Sequence, residues 1–118
     1  MNSEELSNVV VRGMEEKKAE DIVVMDLRKV KGAICDFFVT CSGNSDTQIE
    51  AIARSVEEEV EKNKEKVWRK EGFTNREWIL IDFVNVVAHI FRKDKRQYYG
   101  LEDLWGDAVI TSTSEKAD

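Results

Sequence analysis

The chain has 118 residues, a formal charge of -6 and a pI near 4.9, with 42% hydrophobic and 36% charged residues, two Cys, one His and no Pro. That length supports one hydrophobic core and not two, and an acidic surface repels phosphate backbones, so little or no direct nucleic-acid binding is expected despite the local run Arg92, Lys93, Lys95, Arg96. No membrane span or secretory leader is visible, and Cys35 and Cys41 match no zinc spacing and lie about 20 Å apart if the segment is extended, so free thiols in a reducing, cytoplasmic compartment are expected.

Ser3 offers an N-cap to a first helix whose apolar residues Leu6, Val9, Val10, Gly13 and Met14 recur at helical spacing. Ile22 to Met25 is too short for a helix and rich in β-branched residues, which predicts a buried strand. A helical turn is expected around Leu27 to Val30 before the loop at Gly32, and Phe37 to Cys41 predicts a second strand. Ser45 and Gln48 then stand in capping-box spacing at the head of a long helix, with Ile49, Ile52, Ala53, Val56 and Val60 on one stripe and Glu57 to Glu65 in solvent. Val67 and Trp68 begin a third strand, ahead of a loop with Gly72 and Asn75.

The stretch from Glu77 to Ala108 gathers two of the three Trp, both Tyr and the only His. Its first half reads as a hairpin turning near Asn85, with Trp78, Leu80 and Asp82 on one face and Ile79, Ile81 and Phe83 on the other. A buried carboxylate needs a partner, so the Trp78 face must become polar or paired at the Asp82 end. Parity groups His89 with Val87 and Phe91, a setting that suits a structural or interface His better than a catalytic one. After Asp94, with Gln97 as a capping partner, a helical segment is expected in which Tyr98, Leu101 and Trp105 form one stripe that ends at Gly106. These rings outnumber what one local core site needs, which predicts an exposed binding patch that includes the Asp82 carboxylate. From Thr111 to Asp118 the residues are small or charged, so a domain over 1–110 and a disordered tail over 111–118 are expected. Helices and strands interleave without regular βαβ alternation, which predicts an α/β (α+β) fold: a mixed β-sheet packed with helices.

The Ser42-Gly43-Asn44-Ser45 junction is the one candidate for phosphate chemistry, because a strand-to-helix turn points backbone N–H groups at an anion. A nucleotidyltransferase would also need a pair of carboxylates on a neighbouring strand to hold Mg²⁺. Asp26, Asp36 and Asp82 stand singly at strand ends instead, so no catalytic residue, cofactor or metal is expected, and a minimal nucleotidyltransferase is the alternative reading.

Taken together the motifs resemble the Iojap, or ribosomal silencing factor, family: Asp36-Phe37-Phe38-Val39, Cys41-Ser42-Gly43-Asn44-Ser45, Gln48, Ala51-Ile52-Ala53, Glu71-Gly72, Trp78 to Phe83, Val86 to Phe91, and Tyr98 to Ala108. The resemblance implies a nucleotidyltransferase-like fold lacking the catalytic carboxylates, and a non-enzymatic role. Such proteins bind ribosomal protein fourteen of the large ribosomal subunit and sterically block joining of the small subunit, repressing translation; organellar members act in large-subunit assembly. Carried over by position, the partner-binding residues are Trp78, Asp82, Phe83, His89, Phe91, Tyr98, Leu101, Glu102 and Trp105. Where the family has Gly and an acidic residue at the hairpin turn, this chain has Val84 and Asn85. A homodimer through the same aromatic patch is a further expectation, compatible with the first.

Overall fold

The computed structural model describes residues 1–74, 76–95 and 109–112. Its elements in chain order are α1 (Ser3–Glu16), β1 (Glu20–Asp26), β2 (Phe37–Gly43), α2 (Asp46–Lys62), β3 (Arg69–Glu71), β4 (Trp78–Asp82), β5 (Val86–Arg92) and β6 (Val109–Ser112). The strands form one six-stranded sheet in the order β3-β4-β5-β2-β1-β6, with β2 and β5 parallel and the other neighbours antiparallel. This is the mixed, helix-packed sheet that the sequence predicts.

The helices form for the anticipated reason, an apolar stripe at helical spacing, and both bury it against the same face of the sheet. Leu6, Val9, Val10 and Met14 of α1 meet Ile49, Ile52, Val56 and Val60 of α2, over Ile79 and Ile81 of β4 and Ala88 and Ile90 of β5. The two helices come so close that a Cβ on Gly13 would lie 2.7 Å from the Val56 Cα, and Ser55 Oγ donates to the Gly13 carbonyl at 2.7 Å. The α1 cap is Asn2, not Ser3: its side-chain oxygen accepts from the Glu5 amide at 2.8 Å, and Ser3 is already helical. At α2 the Ser45 half of the expected box is formed, Ser45 Oγ accepting from the Gln48 amide at 3.1 Å, while the Gln48 side chain reaches one residue further back and accepts from the Asn44 amide at 2.7 Å.

Two boundaries differ from the sequence reading. The third strand starts at Arg69 instead of Val67; Val67 packs against the core from the approach to the strand, while Trp68 is 64% exposed. Thr111 and Ser112, expected to open the tail, belong to β6, which pairs Thr111 with Val24 and Ser112 with Val23. The β-branched run Val109-Ile110-Thr111 suits a strand, and β1 offers it a sheet edge. The helical segment expected after Asp94, with Gln97 and Gly106, lies outside the described residues apart from its Asp94 end.

The hairpin turns through a two-residue loop, closed by the Phe83 amide donating to the Val86 carbonyl at 2.9 Å. The first loop position requires positive φ, the reason Gly is favoured there. Here it is Val84, at φ 78 and 54% exposed. The Asp82 carboxylate accepts from the Val84 amide at 2.7 Å and holds this β-branched residue in a region it ordinarily avoids. Relief of that strain sets an expectation: Val84→Gly raises stability by about 1 kcal/mol, after allowance for the extra freedom of Gly in the unfolded chain. Urea unfolding midpoints test it, and a lower midpoint for the Gly variant would rule it out.

Candidate protein-binding face

The sheet face away from the helices is built by register. Trp78 of β4 lies opposite Phe91 of β5, Leu80 opposite His89 and Asp82 opposite Val87, while β2 sets Phe38 beside Val87 and Thr40 beside His89. Opposed residues in a ladder share a face, so the alternation in β4 and β5 delivers Trp78, His89, Phe91 and Asp82 to one surface. Phe83 goes to the other side, into the core beneath the helices at 6% exposure.

Within this face the rings are locked together. Trp78 stacks on Phe91 with centroids 5.3 Å apart, and its indole Nε1 donates to His89 Nδ1 at 3.0 Å. Phe38 meets the His89 ring edge-on at 4.7 Å. Because Nδ1 accepts, the neutral imidazole carries its proton on Nε2. The arrangement makes His89 a fixed shelf under Trp78, with the mid-strand structural setting its parity suggests.

An open aromatic patch is not what these residues form. Phe91 is 1% and His89 3% exposed, and Asp82 is 8% exposed with its carboxylate committed to the Val84 amide and, at 3.5 Å, to Arg69 Nε. The physical reason is that this face carries its own hydrophobic cluster: Met25, Leu27, Cys35, Phe38, Val87 and Phe91 pack together, partly under the 27–35 loop. Trp78 is only partly buried, at the edge of that cluster. Of the nine residues carried over by position, the structure brings Trp78, His89 and Phe91 into direct contact, puts Asp82 at the far end of the same face and excludes Phe83. Tyr98, Leu101, Glu102 and Trp105 lie outside the described residues.

The thiols belong to opposite sides of the sheet, Cys41 in the helix-side core and Cys35 in the second cluster, and both are free and buried. Burial, followed by the nearby Asp82 charge, pushes the Cys35 pKa up to about 12. A raised pKa leaves on the order of one thiolate in 10⁴ at pH 8. Neither thiol of the native protein should therefore react with a chromogenic disulfide at pH 8 within the time that both react in guanidinium. Rapid modification of the native protein would contradict the burial of these two side chains.

The Ser42 to Ser45 junction is occupied by the chain itself. Gln48 Oε1 accepts from the Asn44 amide at 2.7 Å, Ser45 Oγ takes the Gln48 amide, and Asp46 adds a carboxylate to the first turn that Arg92 pairs at 3.0 Å. Two of the amides at this junction, those of Asn44 and Gln48, are thus taken by side chains instead of being left for a phosphate. Gly43 has a packing role as well, since a Cβ there would lie 2.8 Å from Ile49 Cγ2. Among the described residues no group of three or more His, Cys, Asp or Glu is placed to share a metal ion, and no helix is long and apolar enough to cross a membrane.

The sequence profile of the family described as "ribosomal silencing factor during starvation" matches residues 1–118. The chain belongs to the ribosomal silencing factor family. It is 41% identical to ribosomal silencing factor RsfS of Bacillus subtilis over 110 residues, covering 93% of this chain and 92% of that one. The chloroplastic protein Iojap of Zea mays is 34% identical over 85% of this chain and 43% of its own length. Two solved structures share the fold: a Chromobacterium violaceum protein with a TM-score of 0.85 at 30% identity, covering 90% of this chain and 88% of that one, and a Bacillus halodurans protein with a TM-score of 0.77 at 38% identity, covering 86% and 94%. A ribosomal silencing factor regulates translation by way of the ribosome, and its relatives are named for silencing, not for a reaction.

Proposed function

We propose that this ribosomal silencing factor binds the large ribosomal subunit through ribosomal protein fourteen and obstructs the approach of the small subunit, in the cytoplasm and without catalysis. The observation that carries the reading is the family match along the whole chain. Two physical features support it. The body measures 35 × 32 × 31 Å, and subunit faces must approach to hydrogen-bond distance, about 3 Å, so an object of that size seated between them is a sufficient block. The net charge of -6 also favours encounter with a basic ribosomal protein.

Trp78 is the described residue best suited to the contact, a large ring at the rim of a rigid cluster, with Tyr98, Leu101, Glu102 and Trp105 as further contacts from the following segment. His89, Phe91, Asp82 and Phe83 contribute from below: the first two fix the Trp78 ring, and the last two fix the hairpin that carries it. Rigid aromatic anchors lose little entropy on binding, which is why such rings dominate interfaces.

Sedimentation through a sucrose cushion with purified subunits tests the partner. The protein should pellet with large subunits and stay in the supernatant with small ones. Pelleting with small subunits alone, or with neither, overturns the proposal.

A further inference from the structure

The charge of the molecule is segregated. α1 carries -3, four Glu against Arg12, and α2 carries -4, Asp46 and five Glu against Arg54 and Lys62, so the two helices hold -7 in a chain that totals -6. Trp68, the most exposed of the described aromatics, stands at the edge of this acidic layer. It precedes β3, which pairs with β4 on one side and with no described strand on the other. An open groove of about 700 Å³ runs between the C-terminal half of α2 and the approach to β3, with Glu57, Glu61, Val67 and Trp68 among its walls. A smaller recess of about 190 Å³, lined by Arg54, Glu57, Glu58 and Glu61, continues it along α2.

Cations on an edge strand ordinarily discourage pairing. Here they are answered within the chain: Lys70 by Glu57 at 3.0 Å, and Arg69 by Glu71 at 3.6 Å and Asp82 at 3.5 Å. Glu58 and Glu61 are exposed, one helical turn apart, and have no ion pair among the described residues. Lys64 and Lys66 stand at the other end of the groove, past the end of α2. The Arg69 guanidinium lies 5.3 Å over the Trp68 ring, most of which stays open to solvent.

We propose that this edge is a docking groove for a basic, extended peptide segment of another protein, which adds a strand to β3 and lays alternate Lys or Arg side chains across Trp68 toward Glu58 and Glu61. An unpaired strand edge offers backbone hydrogen bonds to any extended chain, so the side chains decide which chain it takes. The two-residue period sends every second side chain of an added strand to the helix side, where Lys70 already reaches Glu57. A long basic side chain suits what waits there: its aliphatic stem packs on the indole and its head meets the free carboxylates. An acidic segment would meet the -7 helix layer instead. The groove opens at the β3 edge on the helix side, so the inference does not rest on the silencing reading of the Trp78 face.

Titration of the isotope-labelled protein with a synthetic peptide of alternating Lys and Val, followed by two-dimensional NMR, tests the groove. The backbone amides from Trp68 to Glu71 should shift and saturate, while the same peptide with Glu in place of Lys leaves them unmoved. Trp68→Ala, which removes an exposed ring and leaves the core intact, should weaken binding at least about tenfold, as should Glu58→Lys combined with Glu61→Lys. Trp78→Ala should bind the peptide as wild type does, which separates this groove from the silencing face. No saturable shift with the Lys peptide, equal binding of the Glu peptide, or wild-type affinity in either the Trp68 or the Glu58 and Glu61 variant overturns the proposal.

Discussion

Replacing Gly72 by Ala should destabilise the protein by at least about 3 kcal/mol, or leave it unfolded. Two independent costs act at this position. Its φ of 92 belongs to a region that L side chains rarely adopt, and a Cβ there would collide with the carbonyl oxygen of Trp78. That obstacle is backbone, so no rotamer change removes it. Either the loop must abandon its conformation or β4 must shift, and β4 carries both Ile79 and Ile81 of the main core. Thermal and urea denaturation read the effect directly. A stability loss under about 1 kcal/mol would mean that the close approach of the loop to β4 is wrong.

Phe91→Ala should cost about 3–5 kcal/mol, because it empties the site of a ring that is 1% exposed and withdraws the support beneath Trp78. Its comparison with Trp78→Ala separates core from contact. The partly buried Trp78 loses less packing when truncated, and the variant should remain folded by circular dichroism while its retention on large subunits falls at least about tenfold. If Phe91→Ala is as stable as wild type, the second hydrophobic cluster is not a core. If Trp78→Ala binds as wild type does, Trp78 is not an anchor.

The parts of the fold legible in the sequence are those governed by local periodicity. The stripe Ile49, Ile52, Ala53, Val56, Val60 specifies α2, and the alternation from Trp78 to Phe83 sorts side chains to their faces, with Ile79, Ile81 and Phe83 together on one face as expected; that this face is the helix side is seen only in the structure. Periodicity does not tell whether the second face of a sheet is covered, and for that reason the burial of His89, Phe91 and Asp82 was not readable. The Asp82 carboxylate illustrates the point. Its need for a partner is evident from its neighbours, but the partners are the Val84 amide, two residues away, and Arg69 on another strand. Edge strands are the other weak place. β3 and β6 are three and four residues long, and each owes its extended form to the neighbour it pairs with more than to its own composition. A signal for β6 was present in Val109-Ile110-Thr111, whereas Arg69-Lys70-Glu71 gives none.

The Val84-Asn85 turn shows sequence and structure disagreeing in a useful way. A β-branched residue at a position made for Gly is a local conflict, and the structure resolves it with a hydrogen bond from the Val84 amide to Asp82 instead of a different turn. The hairpin register therefore survives the substitution, and with it the placement of Trp78 against Phe91 and His89.

Subunit joining, followed by light scattering as purified small and large subunits are mixed, tests obstruction most directly. Large subunits preincubated with a saturating amount of the protein should give a markedly smaller rise in scattering, with the full rise returning when Trp78→Ala is used instead. An unchanged rise with the wild-type protein, while it demonstrably sediments with the large subunit, would show that it binds without standing in the way.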